Sequence, residues 1–496
     1  MSRPIEQPRR GLWRTEIVRA VLSGHSILGI AFAAMIYIVC LSGTLSVFMR
    51  DFERWEQPDV PVMRAVSDTA TARAIEAMGR RAGPEKSFYV SLPSADLPRL
   101  ILSSGGDADD ETWIADKDGR LAVEQEAPWT DFITELHAQL HLAKGWGRFI
   151  VGLTGVALLS SLISGVLAHP RILRDAFHLR LGGSRRLEQA DLHNRLGVWP
   201  LPFHLLVSLT GALLGLSTII VGVLALLMFR GDTSKVYALL SAAPAAVDAR
   251  PAPMPNVAML LATVRELAPE ARAKQISISH WGRQDMRFEV SAARPRLIAA
   301  QDSMIFDAAG DIVAEKHPAG LTVGEKILGS LGQLHFGWFG GVPIRIAYGL
   351  LGLALCVVTS SGISIWLARR RDKGRSGPGW ERLWAAVSWG QPVAIAATAT
   401  IALILPARVS ASLLIPAWVA LTLLLPIGAA AAVTTTAAAL ARWARVVTGL
   451  LLCTIVAVHG ATWLQKARDP AGFVIDIVAL GAAILLVRPR LFRRTG

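Results

Sequence analysis

The stretch His25-Ser26-Ile27-Leu28-Gly29, with Leu41-Ser42-Gly43-Thr44-Leu45 behind it, returns later in the chain. It comes back as His193-Asn194-Arg195-Leu196-Gly197 with Leu209-Thr210-Gly211-Ala212-Leu213 behind it. His, Gly, Leu, Gly and Leu all match at one offset of 168 residues. Each copy opens an apolar run, with His193 just ahead of the run that follows it. A helix in lipid needs no histidine for stability, and an ionisable residue there marks a site by default. Two such helices that start alike point to imidazoles used as a pair.

The rest of the chain fits a membrane setting. It has 496 residues, 52% of them hydrophobic, and a mean hydropathy of +0.42. Apolar runs long enough to cross a hydrocarbon core of about 30 Å lie at 25–49, 146–168, 197–229 and 341–368, with four more between 386 and 488. The expected fold class is therefore a polytopic α-helical membrane protein of eight spans. The first run is too long for a signal-peptide core and ends in Met49-Arg50-Asp51 without a small-residue cleavage site, so it stays as an anchor.

Basic residues crowd four flanks: residues 1–24 (Arg3, Arg9, Arg10, Arg14, Arg19), the loop 169–196 (Arg171, Arg174, Arg180, Arg185, Arg186), the linker 369–385 (Arg369, Arg370, Arg371, Lys373, Arg375) and the C-terminus (Arg488, Arg490, Arg493, Arg494). The positive-inside rule places all four, including the tail 489–496, in the cytoplasm of a bacterial inner-membrane protein. The hydrophilic segments 50–145 and 230–340 then face the periplasm. The net charge of +13 is accounted for by these flanks beside anionic lipid, so a nucleic-acid partner is not expected. Cys40, Cys356 and Cys453 lie far apart in separate spans, and no Cys-x-x-Cys-His occurs. Neither a disulfide framework nor covalent haem is indicated.

The repetition extends to the second and fourth spans. Gln139-Leu140-His141 matches Gln333-Leu334-His335, and Arg148, Gly152, Gly155, Ser164 and Gly165 match Arg345, Gly349, Gly352, Ser361 and Gly362 at an offset of 197. The offset at the histidines is 194, which calls for a three-residue insertion within 336–343. Each hydrophilic segment reads as a small α+β domain. An amphipathic helix (Thr69–Arg81, Asn256–Leu267) precedes short strands, and Asp116-Lys117-Asp118-Gly119 and Asp307-Ala308-Ala309-Gly310 mark the last turns. The unit helix, small domain, helix thus occurs twice in parallel, followed by a four-span extension.

A histidine pair near each membrane face suits two bis-histidine haem b groups stacked across the bilayer, so that electrons cross in short hops. The outer pair reads as His141 with His335; His137, one turn earlier, is a replacement or an orienting group. The inner pair reads as His25 with His193, or with His204, which lies eleven residues beyond His193. On a straight helix those two share a face about 16 Å apart. Gly29, Gly43, Gly197 and Gly211 leave room for a macrocycle or a neighbouring helix. Arg148 and Arg345 are placed to pair with haem propionates. His169, His178, His280, His317 and His459 have no matched partner and read as incidental. No dinucleotide, Walker A, zincin or hydrolase motif occurs, so no flavin, NAD or nucleotide site is evident and the electron donor is a membrane quinol or a separate cytoplasmic reductase.

Across residues 15–372 these motifs, in this order, resemble the PepSY-associated transmembrane family, which includes iron-regulated membrane proteins and ferric-siderophore reductases. The resemblance implies periplasmic PepSY-type domains, b-type haem in a four-helix core and reduction of a ferric siderophore or related chelate. At matching positions it carries His25, His193, His141 and His335 over as haem ligands. The four extra spans and His204 depart from it. Two further classes of function remain: a non-catalytic module that binds or inhibits a periplasmic protein or peptidase, and a transporter component, for which the shortage of acidic residues in the spans argues against proton coupling.

Overall fold

The computed structural model of the chain describes residues 12–84, 86–105, 111–168, 185–238, 246–294, 297–298, 301–405, 410–466 and 469–488. The basic residues at 3–10, 171–180 and 490–494, and with them His169 and His178, lie outside these. Four long elements form the core next to the repeated histidines. They are α1 (Leu12–Ser46), α5 (Lys144–Ala168), the pair α6 (Arg185–Val198) and α7 (Leu201–Gly215), and α12 (Gly341–Asp372). Helix α1 packs on α5 and α12, α7 packs on α5, and α6 packs on α12.

Among the described residues six helices are long and apolar enough to cross a membrane, or seven if the bent pair α6/α7 is one span. The chain is thus a polytopic helical membrane protein with a sheet region. The third run, expected as one span over 197–229, is divided. α6 and α7 meet at 66°, because Pro200 offers no N–H and restricts Trp199 before it. A separate apolar helix, α8 (Ser217–Phe229), follows. The C-terminal bundle is α13 (Pro378–Ile404), α14 (Ala411–Ala431), α15 (Ala437–Lys466) and the 17-residue apolar helix α16 (Ala471–Val487).

The two hydrophilic segments, expected as two small domains, share one sheet. The first supplies α3 (Asp68–Ala82), β1 (Ser87–Ser91), β2 (Leu100–Gly105), β3 (Thr112–Ala115) and β4 (Leu121–Glu124). The second supplies α10 (Val257–Leu267), β5 (Arg272–Ser279), β6 (Arg287–Ala293), β7 (Gln301–Phe306) and β8 (Ile312–Lys316). The short helix α9 (Thr233–Ala238) precedes α10. The strand order is β4-β3-β2-β1-β5-β6-β7-β8. β1 and β5 pair antiparallel, with Phe88 opposite Ile278 and Val90 opposite Ile276. Each would otherwise be an exposed edge, and joining them removes both edges at once.

Alternation along the strands sends Phe88, Val90, Leu100, Leu102, Ile276, Ile278, Phe288 and Val290 to one face. There they meet Ile75 and Met78 of α3 and the i, i+3, i+4, i+7 stripe Val257, Leu260, Leu261 and Val264 of α10. Ser67 and Asn256 cap these helices by accepting from the Ala70 and Met259 N–H groups. The two Asp-x-x-Gly turns close alike: the first aspartate of each accepts two backbone N–H groups. Gly119 and Gly310 take φ of 81° and 91°, a region glycine enters without strain.

Candidate functional site

Helix α1 brings His25 against α5, where Nδ1 donates to the Ser161 carbonyl at 2.9 Å. Helix α6 brings His193 against α12, where Nδ1 lies 2.9 Å from the Val358 carbonyl. Ser161 and Val358 stand at the same 197-residue offset as Gly165 and Gly362, and each of these glycines lies under its imidazole. A Cβ on either would sit 3.2 Å from the ring's Cε1. The two rings face each other with centres 6.4 Å apart.

The outer pair is built in the same way from different elements. Helix α4 (Pro128–Gln139) packs on α1, and α11 (Val323–Phe336) packs on α7. His137 Nδ1 donates to the Val39 carbonyl at 2.9 Å. His335 Nδ1 lies 3.0 Å from Thr210 Oγ1, with the Val207 carbonyl beside it. Val39 and Val207 are 168 residues apart, as are Gly43 and Gly211. A Cβ on those glycines would lie 2.6 Å and 2.9 Å from Cε1 of His137 and His335. The ring centres of His137 and His335 are 6.0 Å apart and the planes differ by 18°.

The structure therefore sets His137, not His141, opposite His335. The Gln-Leu-His triplets match in sequence but not in conformation. Helix α4 ends at Gln139, and Leu140 and His141 turn left-handed at φ of 55° and 53°, whereas α11 continues through Phe336, so all of Gln333, Leu334 and His335 are helical. The working offset at the outer pair is 198, one residue from that of the spans rather than three. His141 instead stacks on Phe132, centres 4.6 Å apart, and meets Trp418 of α14.

His204 is fully buried beside Phe203 and belongs to neither facing pair. The 66° bend breaks the straight-helix geometry that aligned it with His193. Arg345, expected near a propionate, is turned to Asp51 of α2 (Met49–Glu56) at 2.5 Å and to Asp96 at 3.4 Å. Its counterpart Arg148 is exposed. Gly29 and Gly197 have no described atom within 4 Å of a Cβ placed on them, so both border space the described chain does not fill.

In all four facing histidines Nδ1 is engaged by a carbonyl or hydroxyl. That fixes the ring and leaves Nε2, across the ring, with a lone pair to give. One set of residues was missed in the sequence: His459, read as incidental, is buried against Trp55 and Asp476.

The family described as PepSY-associated TM region matches residues 22–369. The chain belongs to that family. The match contains all four facing histidines and leaves the α13–α16 bundle outside. A relative, the uncharacterized protein PA4219 of Pseudomonas aeruginosa, is 30% identical over 374 residues, covering 72% of this chain and 94% of that protein.

Proposed function

We propose that this PepSY-associated chain is an inner-membrane di-haem b-type electron-transfer protein that reduces a ferric siderophore or another ferric chelate on the periplasmic side. Its eight spans, counting the bent pair as one and α16 as another, keep both termini in the cytoplasm. The observation that carries the reading is the spacing of the facing imidazoles. A metal held about 2 Å from each Nε2, with about 1 Å more to each ring centre, sets ring centres about 6 Å apart. The two pairs stand at 6.4 Å and 6.0 Å. Bonding of each Nδ1 to a backbone or hydroxyl oxygen is the support that metal-bound histidines ordinarily have.

His25 and His193 would hold the inner haem, and His137 and His335 the outer one. Each haem, when bound, supplies one-electron oxidation and reduction. The chain's own work is to fix four imidazoles, to keep glycines where bulk would displace them, and to set the pairs about 20 Å apart, as judged from the fourteen helical rises from His25 to Val39. At the outer face Arg50 lies over the Trp338 ring at 4.8 Å and Trp146 is 71% exposed, a cationic and aromatic rim suited to an anionic chelate. Reduction of the substrate iron weakens its hold by hard oxygen donors and so releases it. Electrons come from a membrane quinol or a cytoplasmic reductase.

The test is the absorption spectrum of the purified protein, oxidised and dithionite-reduced, from cells supplied with haem. A Soret band that shifts on reduction, and that is reoxidised by an added ferric chelate, is expected. A spectrum without such a band removes the redox reading and favours a binding module.

A further inference from the structure

Beyond the family match, the C-terminal bundle meets the matched part at a buried polar cluster around α2. His459 of α15 sets Nδ1 2.7 Å from an Asp476 carboxyl oxygen of α16 and donates through Nε2 to the Trp55 carbonyl at 2.8 Å. Both ring nitrogens of His459 are thus engaged, one by a carboxyl group and the other by a carbonyl. Trp55 closes the ring by donating Nε1–H to Asp476 at 3.0 Å, and its indole stacks on His459 with centres 4.9 Å apart. Gly472 makes the space, since a Cβ there would lie 3.1 Å from His459. Beside this cluster Arg54 makes a forked pair with Asp469 at 2.6 and 2.7 Å, and Asp469 also accepts the Ala471 N–H.

From α2 the contact passes to α4. Trp129 packs edge-on against Phe52 and Trp55, centres 4.9 and 6.0 Å apart. Glu56 accepts the Trp129 and Thr130 N–H groups at 2.9 and 2.8 Å, capping α4. Trp418 of α14 reaches Phe132 of the same helix. His137 sits in the last turn of α4.

We propose that the C-terminal bundle is a clamp on the outer pair, in which His459, Asp476 and Asp469 act as positioning residues, through Trp55 and Arg54 of α2, for the helix that carries His137. The proposal rests on the reading of His137 and His335 as a functional pair. The four extra helices thereby hold one outer imidazole in place.

The experiment uses the full chain in a lipid nanodisc, with Asp476→Asn and, separately, Asp469→Asn. Backbone hydrogen exchange across 128–139 is expected to quicken about tenfold in each variant, with 323–336 as in the parent. In the haem-loaded protein the midpoint potential of the outer centre is expected to move while that of the inner one stays. Folded variants with parental exchange in α4 and unchanged potentials would overturn the clamp. Should Asp476→Asn fail to fold, Asp469→Asn decides alone. If the parent binds no haem, the redox reading falls, yet exchange in α4 still judges the clamp.

Discussion

Helices α4 and α11 present the two outer imidazoles from matching places, but they are held in opposite ways. α4 buries Trp129, Thr130, Phe132, Ile133 and Leu136 and touches α1, α2, α5, α13 and α14. None of the side chains of α11 is buried. That helix leans on α7 and on its capping box, in which Thr322 Oγ1 accepts the Glu325 N–H at 3.3 Å and Glu325 accepts the Thr322 N–H at 2.9 Å. A duplicated unit has thus become a fixed side and a yielding side. The added bundle lies on the fixed one, so rearrangement at the outer pair should fall on His335.

The largest effect tests whether glycine volume sets both sides. Gly43→Leu puts bulk where a Cβ alone would lie 2.6 Å from His137; on stiff α4 the ring cannot yield, and loss of the outer centre is expected, with destabilisation of about 1–3 kcal/mol. Gly211→Ala, against the looser α11, should retain the outer centre with a shifted spectrum. Haem content per chain in the two variants measures this; equal loss in both would erase the distinction.

Much of this arrangement was legible in the sequence. The 168-residue offset located α1 and α7 with the glycines that underlie His137 and His335, and the Asp-x-x-Gly pairs located the last turns of each segment. The outer partner was not legible. Gln139-Leu140-His141 copies Gln333-Leu334-His335 letter for letter, and only the left-handed turn at Leu140 and His141 shows that His137 holds the equivalent place. Pro200 and Pro202 within an apolar run were a usable sign of the broken third span. The β1–β5 pairing joins strands more than 180 residues apart and leaves no local trace. His459 read as incidental, yet Asp476, an aspartate inside an apolar run, calls for a partner, and the histidine on the preceding helix was the candidate within reach.

A smaller effect sharpens the contrast. Thr322→Ala removes the cap on which α11 depends and should cost about 1 kcal/mol locally. Exchange across 323–336 should quicken about fivefold with no change in 128–139. If both helices respond together, they form one unit and the clamp does not separate them.

The smallest effect compares the two halves of the sheet by pH. In the second, Arg294 holds the buried Asp302 carboxylate below its usual range, assisted by His317. Asp302 in turn holds the His317 imidazole above its own. The Asp302 contribution is present above about pH 4 and lost as pH falls through its lowered folded value. The His317 contribution is present below about pH 6.5 and lost as pH rises through its raised folded value. Protection of β7 should therefore be greatest between about pH 4 and 6.5. In the first half the corresponding Glu111 pairs with Arg81 at the surface, so protection of β3 should stay flat across the same window and as pH rises to about 8. Parallel behaviour of the two strands would remove this difference.

The measurement that bears most directly on the central claim is haem per chain in the parent, His137→Ala and His141→Ala proteins, each purified from haem-replete cells. The facing pairs predict about two b-type haems in the parent, about one in His137→Ala and about two in His141→Ala. A parent without haem, or a His141→Ala protein that loses the outer haem while His137→Ala keeps it, would contradict the account.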